Sequence, residues 1–405
     1  MLKKLKQAAL GGLKTSRIFS LVHQSKWRQE RLLILAYHGI SLADEHQWDP
    51  DLYMSPDYFR SRLQMLKQFG CNVLPLGEAI QRLYANDLPE NCVALTFDDG
   101  YYDFYRQAYP ILKEFNFPVT LYLATHYVHC NRPMMDSMYS YLLWKGRNAT
   151  LDLRAITGQE GRFELSSSAT RNTVCNYLVE FSEQQKLTIE EQDALTAKLA
   201  HQLKLDYEAL CAKRILHLLA PEEVGQLAAE GVDSQLHTHR HYSPLNRGLF
   251  YREIEENRNS IQGMTGSSAT HFCYPSGTFG AAFLPWLEDL NVCSATTCEP
   301  GLAARDSHRL LLPRLVDHTL LSPIEFEGWL TGASAVFPRR HKVYNPPLTN
   351  IEASVEDAAK GAPIHREGVV AKSSNTEEIQ VQARRGPRIS GEFYSHSSGR
   401  KGQDT

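Results

Sequence analysis

The sequence contains no apolar run of the length that a membrane-spanning helix needs. Such a helix requires roughly 18 consecutive apolar residues, and charged or polar residues interrupt every apolar stretch of this 405-residue chain before that length. Hydrophobic residues nevertheless make up 42% of the chain and charged residues 22%, a composition typical of a globular protein with a substantial core. We therefore expect a folded domain that does not cross a membrane.

The sequence also lacks closely spaced cysteines. None of its eight cysteines forms a CxxC pair, so the pattern does not indicate a disulfide framework. Cys92 and Cys273 lie inside apolar, strand-like segments. We interpret the cysteines as buried, reduced thiols.

No charge of one sign dominates the whole chain. The formal net charge is -3 and the isoelectric point is about 6.6, so the chain has no global positive field of the kind that attracts nucleic acid. We expect no nucleic-acid partner. Any binding driven by charge must be local.

Residues 1–31 are one such local region. They contain eight Lys or Arg residues and a single acid, Glu30, with apolar residues interleaved, and we predict a basic helix. The segment has neither the continuous apolar run nor the cleavage site of a signal peptide, which favours a cytoplasmic location, with the inner face of the membrane as an alternative. Two interpretations stay open: an ordinary solvated helix, or a helix in peripheral contact with an anionic membrane.

From residue 32 onward, short apolar runs alternate with helical patterns. Strands are predicted at 32–37, 72–76, 92–97 and 118–124, with helices at 55–69, 77–84 and 101–115 between them, and the same alternation resumes after residue 221. This rhythm predicts a parallel sheet, closed or open, with helices outside it. In such α/β folds the chemistry lies at the carboxyl ends of the strands.

Two segments depart from the alternation. Residues from about 130 to 220 show helical patterns without a clear strand, so we predict a helical insertion or lid at one edge of the sheet. From about residue 340 the sequence is polar and poor in large apolar residues. We expect residues 340–405 to be a disordered tail.

Two adjacent carboxylates, Asp98 and Asp99, follow the apolar strand 92–97 and precede Gly100. Neighbouring carboxylates repel each other unless a cation or a proton relieves them. The pair therefore indicates either a metal site with a spare base or an ordinary solvated turn, since Asp-Asp-Gly is also a common turn sequence.

Three histidines stand within five residues, from His237 to His241, at the end of another predicted strand. In an extended chain, residues four apart are separated by about 13 Å, too far to share one ion. The chain must turn here if His237 and His241 are to bind one metal, and a surface cluster without function is the alternative. Two histidines and one aspartate would complete the three-ligand set of a catalytic zinc site.

These two motifs carry a resemblance to a known family. Thr-Phe-Asp-Asp-Gly at 96–100 and His-Thr-x-x-His at 237–241 resemble the motifs of polysaccharide deacetylases with a NodB-like domain, carbohydrate esterase family 4, over roughly residues 32–335. The resemblance implies a distorted (β/α) barrel in which Asp98 is the catalytic base. It also implies that Asp99, His237 and His241 bind a divalent metal, Zn²⁺ in the first place, with Co²⁺, Ni²⁺ or Fe²⁺ as alternatives. His239 occupies an unassigned position of the motif, so we expect it either to support the ligands without binding the metal or to be a bystander.

Three further strings are similar to the exopolysaccharide deacetylase branch of that family. The first, Leu35 to Ile40, implies that His38 is the general acid. The second, Tyr274 to Gly277, implies that the backbone N–H of Tyr274 contributes to an oxyanion hole. The third is Leu-Pro-Arg at 312–314, in which Arg314 would either pair with Asp98 or form an ordinary surface salt bridge.

Several elements of the family pattern are missing. The late Asp-Trp and Leu-x-His elements are not evident in this sequence. The usual Arg-x-Pro-Tyr loop has no arginine here, because Phe272 and Cys273 precede Tyr274. We still expect metal-dependent removal of acetyl groups from N-acetylated sugars of a polysaccharide or its precursor. Two alternatives stay open: a saccharide-binding or assembly protein without turnover, and hydrolysis of a small amide other than a sugar.

Overall fold

The computed structural model describes residues 2–130 and 132–336. The tail expected at 340–405 lies outside the described residues. None of the helices within the described ranges combines the length and the hydropathy that crossing a bilayer requires.

Eight parallel strands form the central sheet. Twelve strands are described in all: β1 (Leu33–Tyr37), β2 (Gly39–Ile40), β3 (Tyr53–Met54), β4 (Asn72–Val73), β5 (Cys92–Phe97), β6 (Thr120–Leu123), β7 (Thr150–Asp152), β8 (Arg162–Glu164), β9 (Asp233–Leu236), β10 (His271–Cys273), β11 (Ser294–Thr296) and β12 (Leu315–Val316). The order in the main sheet is β11-β10-β9-β6-β5-β1-β12, and β4 also pairs with β5.

The two edges of this sheet approach each other. An isolated parallel bridge joins Thr296 of β11 to Leu312, three residues before β12 begins, and the backbone N–H of Thr297 donates to the carbonyl of Leu312 (2.9 Å). The sheet is therefore a parallel half-barrel with an irregular closure. Together with its surrounding helices it forms the expected distorted (β/α) barrel.

Helices cover the outside of the sheet. They are α1 (Leu2–Thr15), α2 (Ile18–His23), α3 (Lys26–Gln29), α4 (Glu45–Trp48), α5 (Pro56–Gln68), α6 (Leu76–Ala85), α7 (Tyr109–Phe115), α8 (Thr125–Val128), α9 (Met135–Lys145), α10 (Arg154–Thr157), α11 (Ser168–Gln184), α12 (Ile189–Gln202), α13 (Tyr207–Ala212), α14 (Pro221–Ala229), α15 (Arg247–Thr265), α16 (Phe283–Asp289) and α17 (Pro323–Leu330). A π-helix at Phe104–Ala108 leads into α7, and 3₁₀ turns lie at Pro275–Gly277 and Ala333–Val336.

Local sequence explains where these elements begin. Ser55 caps α5 by accepting a hydrogen bond from the N–H of Tyr58 (3.2 Å), and Pro56 occupies the first helical position, where its missing N–H costs nothing. Every residue of β5 is buried, as the continuous apolar run predicts for a strand covered on both faces. At its carboxyl end the chain turns polar.

The structure corrects two details of the sequence interpretation. Residues 1–31 contain three helices, α1 to α3, instead of one, because the chain reverses at Arg17, which has a left-handed backbone (φ 63°). The insertion is helical from α9 to α13, but it also includes the antiparallel pair of β7 and β8. Each of these strands has three residues, too few for a period-two pattern to be visible.

Candidate active site

The polar residues singled out from the sequence follow the carboxyl ends of neighbouring strands. His38 follows β1, Asp98 and Asp99 follow β5, and His237 follows β9. These strands lie in one parallel sheet, so their carboxyl ends meet at the same edge and the side chains come together there. The structure thus brings together residues that are up to about 200 positions apart in the chain.

A tight turn positions the two aspartates. The N–H of Asp98 still donates to the carbonyl of Tyr37 (2.9 Å), which extends the pairing of β5 with β1. Asp99 then adopts a left-handed backbone (φ 70°), as aspartate tolerates better than most residues. Gly100 follows at φ 87°, where an added Cβ would lie 2.5 Å from a side-chain atom of Leu123. The strand therefore ends abruptly, and consecutive carboxylates face different partners.

Asp99, His237 and His241 form a buried cluster. The Oδ1 atom of Asp99 lies 3.2 Å from Nε2 of His237 and 3.0 Å from Nε2 of His241. The chain turns between the two histidines, with left-handed backbones at Thr238 (φ 60°) and His241 (φ 56°). Burial raises the pKa of Asp99, but the adjacent His241 and His237 outweigh it and hold that pKa well below its usual range. A negatively charged oxygen thus faces two imidazoles.

The donor set of this cluster fits a divalent metal. Potential ligand atoms of Asp99, His237 and His241 all lie within 4.8 Å of one another. The Nδ1 atom of His237 lies 2.9 Å from the backbone carbonyl of Cys273. Since a carbonyl only accepts, Nδ1 must carry the hydrogen, and Nε2 is left with its lone pair directed at the cluster. Two imidazoles and a carboxylate are the ligand types of a catalytic zinc site.

A second group of possible ligands consists of Asp98, His237 and Cys273. Their potential ligand atoms also lie within 4.8 Å of one another. This group fits a metal less well. Both carboxylate oxygens of Asp98 are already bound by an arginine, as described below, and burial raises the pKa of the Cys273 thiol well above its ordinary value. A metal requires a thiolate from cysteine. Asp99, His237 and His241 are therefore the better ligand set.

Helix α15 holds the histidine loop in place. The side-chain oxygen of Asn257 accepts the N–H of His237 (2.9 Å), and its amide nitrogen donates to the carbonyl of Leu123 (2.9 Å) and to Oγ1 of Thr125 (2.8 Å). Asn257 is fully buried, so these three bonds join the ends of β6 and β9 where water cannot substitute for them. Sequence reasoning missed this residue.

The same helix contacts the middle of the loop. Glu253 accepts hydrogen bonds from the backbone N–H (2.7 Å) and the guanidinium (2.6 Å) of Arg240. His239 does not join the metal cluster. Its Nδ1 atom pairs with Oγ1 of Thr125 (2.9 Å), and its ring lies 5.4 Å from that of His126. His239 therefore connects the histidine loop to α8 through Thr125 and His126.

Asp98 forms a bidentate ion pair with Arg314. Nη1 of Arg314 donates to Oδ1 (2.8 Å) and Nη2 to Oδ2 (2.7 Å). Arg314 is fully buried, so the pair is not a surface salt bridge. Burial raises the pKa of Asp98, but the guanidinium outweighs it and leaves that pKa lower than usual. Asp98 is therefore ionised near neutral pH and able to accept a proton.

His38 stands on the other side of Asp98. Its Nε2 atom lies 3.7 Å from Oδ2 of Asp98, and its side chain is 14% exposed. Burial lowers the pKa of His38, with Asp98 and Asp99 opposing that effect only in part. The imidazole is therefore mostly neutral near pH 7 while retaining contact with solvent and with a carboxylate.

Comparison with known proteins identifies a family that this sequence matches. The model of the family described as polysaccharide deacetylase matches residues 85–165 and 185–294. The matched part of the chain belongs to the polysaccharide deacetylase family. The gap between the two matched segments falls largely on α11, inside the insertion. His38 and Arg314 lie outside the matched residues, so the contacts with Asp98 described above are what connect them to the site.

The individual relatives that match this chain have low sequence identity to it. YxkH of Bacillus subtilis, which is named as a polysaccharide deacetylase, is 30% identical over 145 residues, 34% of this chain and 50% of the relative. The poly-beta-1,6-N-acetyl-D-glucosamine N-deacetylase of Staphylococcus epidermidis is 27% identical over 164 residues, 36% of this chain and 57% of the relative. The chain thus spans about half the length of the curated relatives it matches.

Two solved structures are similar at low identity. The deacetylase PplD of Streptococcus pyogenes, in complex with acetate, has a TM-score of 0.48 and 20% identity, covering 76% of this chain and 99% of that chain. IcaB from Ammonifex degensii has a TM-score of 0.48 and 17% identity, covering 75% and 97%.

Cys273 is a site residue that sequence reasoning missed. Its Sγ atom accepts a hydrogen bond from Nη2 of Arg314 (2.9 Å) and lies 3.6 Å from Oδ2 of Asp98. It precedes Tyr274 in the loop that lacks the family's usual arginine. The missing arginine was the signal available in the sequence that this loop is unusual. In the structure, Arg314 supplies the guanidinium beside Asp98.

The expected oxyanion contact of Tyr274 is not available in this conformation. Its backbone N–H donates to the carbonyl of Thr296 (3.2 Å) as part of the pairing of β10 with β11. Its side chain is fully buried, with the hydroxyl donating to the carbonyl of Leu310 (3.0 Å). Tyr274 therefore anchors the loop to the barrel closure instead of presenting a free donor.

Proposed function

We propose that this protein removes acetyl groups hydrolytically from the N-acetylated sugars of a polysaccharide or its precursor, with a divalent metal as cofactor. The observation that carries the proposal is one buried turn, Asp98-Asp99, whose two carboxylates have different partners. Asp99 faces His237 and His241, while Asp98 faces Arg314 and His38. One carboxylate thus suits a metal and the other suits proton transfer.

Asp99, His237 and His241 would hold the metal. Zn²⁺ is the best match to two imidazoles and one carboxylate, and Co²⁺, Ni²⁺ or Fe²⁺ are alternatives with similar preferences. A metal bound there would supply a water molecule of lowered pKa and would polarise the acetamide carbonyl.

The residues around Asp98 define a route for the proton. Asp98 takes a proton from the attacking water, but Arg314 keeps the pKa of this carboxyl low, so Asp98 holds a proton only weakly. Nε2 of His38 lies 3.7 Å from Oδ2, and an imidazole is ordinarily a stronger base than a carboxylate. The proton passes to His38, which donates it to the amine as the carbon–nitrogen bond breaks. Water supplies the second oxygen of the acetate product, and both of its protons end on the released amine.

The substrate class follows from the relatives. The relative from Staphylococcus epidermidis is named for the deacetylation of poly-beta-1,6-N-acetyl-D-glucosamine. We extend a substrate of this kind, a chain of N-acetylated hexosamines, to this protein as part of the proposal. Assays with defined oligomers would establish the length and the linkage of the sugar chain.

The test is acetate release from oligomers of β-1,6-linked N-acetylglucosamine, with purified protein loaded with zinc. Turnover is expected for the unchanged protein and for Asp306→Asn, a control at an exposed aspartate. Loss is expected for Asp98→Asn and for His237→Ala. Full turnover by either site variant would contradict the assignment. Binding of the oligomer without any acetate release would favour the saccharide-binding alternative.

A further inference from the structure

The three N-terminal helices pack on α17 and on the turn that follows it, and each contributes a buried side chain to that contact. Leu10 is fully buried, and Phe19 of α2 is nearly so; both belong to a small apolar cluster with Ala333. Polar contacts also join α1 to α17. Lys6 pairs with Glu325 (3.1 Å) and Lys14 with Glu327 (2.6 Å). Part of the basic charge of residues 1–31 is therefore used to hold the segment against α17.

The exposed side chains of these helices are both basic and apolar, and Lys4, Leu5, Arg17, Ile18, Leu21 and Trp27 are defined here as the N-terminal face. Leu5 and Leu21 are 67% and 68% exposed. No other large apolar side chain among the described residues exceeds 44%. Ile18 and Trp27 are also exposed. Solvated leucines of this degree are unfavourable, and their concentration in one short segment marks an interaction surface.

The basic side chains of the N-terminal face are not neutralised. Lys4 and Arg17 are exposed and make no ion pair within residues 2–130 and 132–336. The single acid of the segment, Glu30, lies 3.5 Å from Lys26. The guanidinium of Arg31 covers the ring of Trp27 at 4.4 Å. Net positive charge therefore surrounds the exposed apolar groups.

We propose that the N-terminal face binds the surface of an anionic lipid bilayer. Leucine, isoleucine and tryptophan side chains insert at the boundary between headgroups and acyl chains, while lysine and arginine contact the anionic headgroups. The face offers both kinds of group and no free acid. An acidic protein surface would satisfy the charges but would leave Leu5 and Leu21 without an apolar environment, so charge and hydropathy together favour lipid.

This contact would be reversible and regulated by salt. The N-terminal face supplies a few basic residues, and each changes the affinity for an anionic membrane by about fivefold. It supplies no helix that enters the bilayer. Ionic strength screens such contacts. The contact goes beyond the proposed deacetylation, because it involves none of the residues around Asp98 and Asp99.

Vesicle flotation with the full chain tests the proposal. The expected result is that the protein floats with vesicles of phosphatidylcholine mixed with phosphatidylglycerol, floats less as salt increases, and stays behind with phosphatidylcholine alone. The variant Lys4→Gln with Arg17→Gln is expected to bind about 25-fold more weakly. Leu5→Gln with Leu21→Gln is expected to lose about tenfold. Glutamine preserves helix propensity, so circular dichroism and thermal unfolding should not change.

Matched controls lie elsewhere on the surface. Lys198→Gln with Lys213→Gln removes two other exposed lysines, and Leu249→Gln removes another exposed leucine; all are expected to leave flotation unchanged. The proposal is overturned if the unchanged protein ignores anionic vesicles or if the controls lose as much binding as the test variants. It is also overturned if sedimentation shows a dimer that Leu5→Gln with Leu21→Gln abolishes, because the face would then be occupied by a second copy.

Discussion

Replacing Asn257 by alanine should weaken metal binding without touching a ligand. The substitution removes three buried hydrogen bonds, to His237, Leu123 and Thr125. Thr125 keeps its contact with His239, but the N–H of His237 and the carbonyl of Leu123 lose a buried partner. An unpaired buried polar group costs about 1 to 3 kcal/mol. The two together predict that the free energy of unfolding falls by about 2 to 6 kcal/mol.

The effect on the metal follows from the position of the lost bond. The bond from Asn257 restrains the backbone of His237 at the first residue beyond β9, and the turn to His241 begins there. Loss of such supporting contacts typically reduces metal affinity by about 10- to 100-fold. Isothermal titration of metal-free protein with Zn²⁺ measures the affinity, and denaturant unfolding measures the stability.

A matched substitution on the same helix separates the two readouts. Asn259 is exposed on α15, so Asn259→Ala is expected to change neither quantity appreciably. If Asn257→Ala lowers stability but binds zinc as tightly as the unchanged protein, Asn257 only joins β6 to β9 and the argument about the loop is wrong. An unchanged stability would refute the hydrogen-bond argument itself.

Other predictions concern the base, its cation, the metal and the N-terminal contact. Asp98→Asn should lower acetate release by about 10²- to 10⁴-fold, measured by steady-state kinetics, while zinc titration shows affinity retained. Arg314→Met should cost about 3 to 5 kcal/mol of unfolding free energy, because it leaves the Asp98 carboxylate buried without its cation; denaturant unfolding would contradict this if stability were unchanged. Dialysis against a chelator should lower both acetate release and the melting temperature, and added Zn²⁺ should restore both. Burial raises the pKa of Glu325, but hydrogen bonds from Ser322, Lys6 and Gln7 outweigh it and lower that pKa to about 2. Its stabilising contribution should be complete above the ordinary carboxyl pKa and lost as pH falls towards 2, so Glu325→Gln should flatten the acid limb of a stability profile.

The sequence predicted the parts of the site that depend on local pattern. The apolar run of β5 followed by Asp98-Asp99 indicated a buried strand ending in carboxylates, and the structure has both. The parallel sheet followed from alternating elements. The need for a turn between His237 and His241 followed from simple chain geometry, and left-handed backbones at Thr238 and His241 provide it.

What sequence reasoning missed depends on contacts between distant segments. The N–H of Tyr274 is occupied because β11 pairs with β10 and places Thr296 opposite Cys273, so that the carbonyl of Thr296 accepts the next N–H along the chain. No local pattern specifies that register. Asn257 lies in the middle of a long helix, where a buried asparagine resembles an exposed one until the neighbouring strand ends are known. The cytoplasmic location expected from the sequence stays a prediction.

Cys273 links the two halves of the site through a single residue. Its carbonyl accepts the ring N–H of His237 (2.9 Å), and its thiol accepts a hydrogen bond from the guanidinium that holds Asp98 (2.9 Å). Any displacement of the end of β10 would therefore carry the imidazole ligand and the base in the same direction. Because both bonds end on one residue, Cys273 sets the spacing between the imidazole of His237 and the carboxylate of Asp98, on which the proposed metal binding and proton transfer both depend.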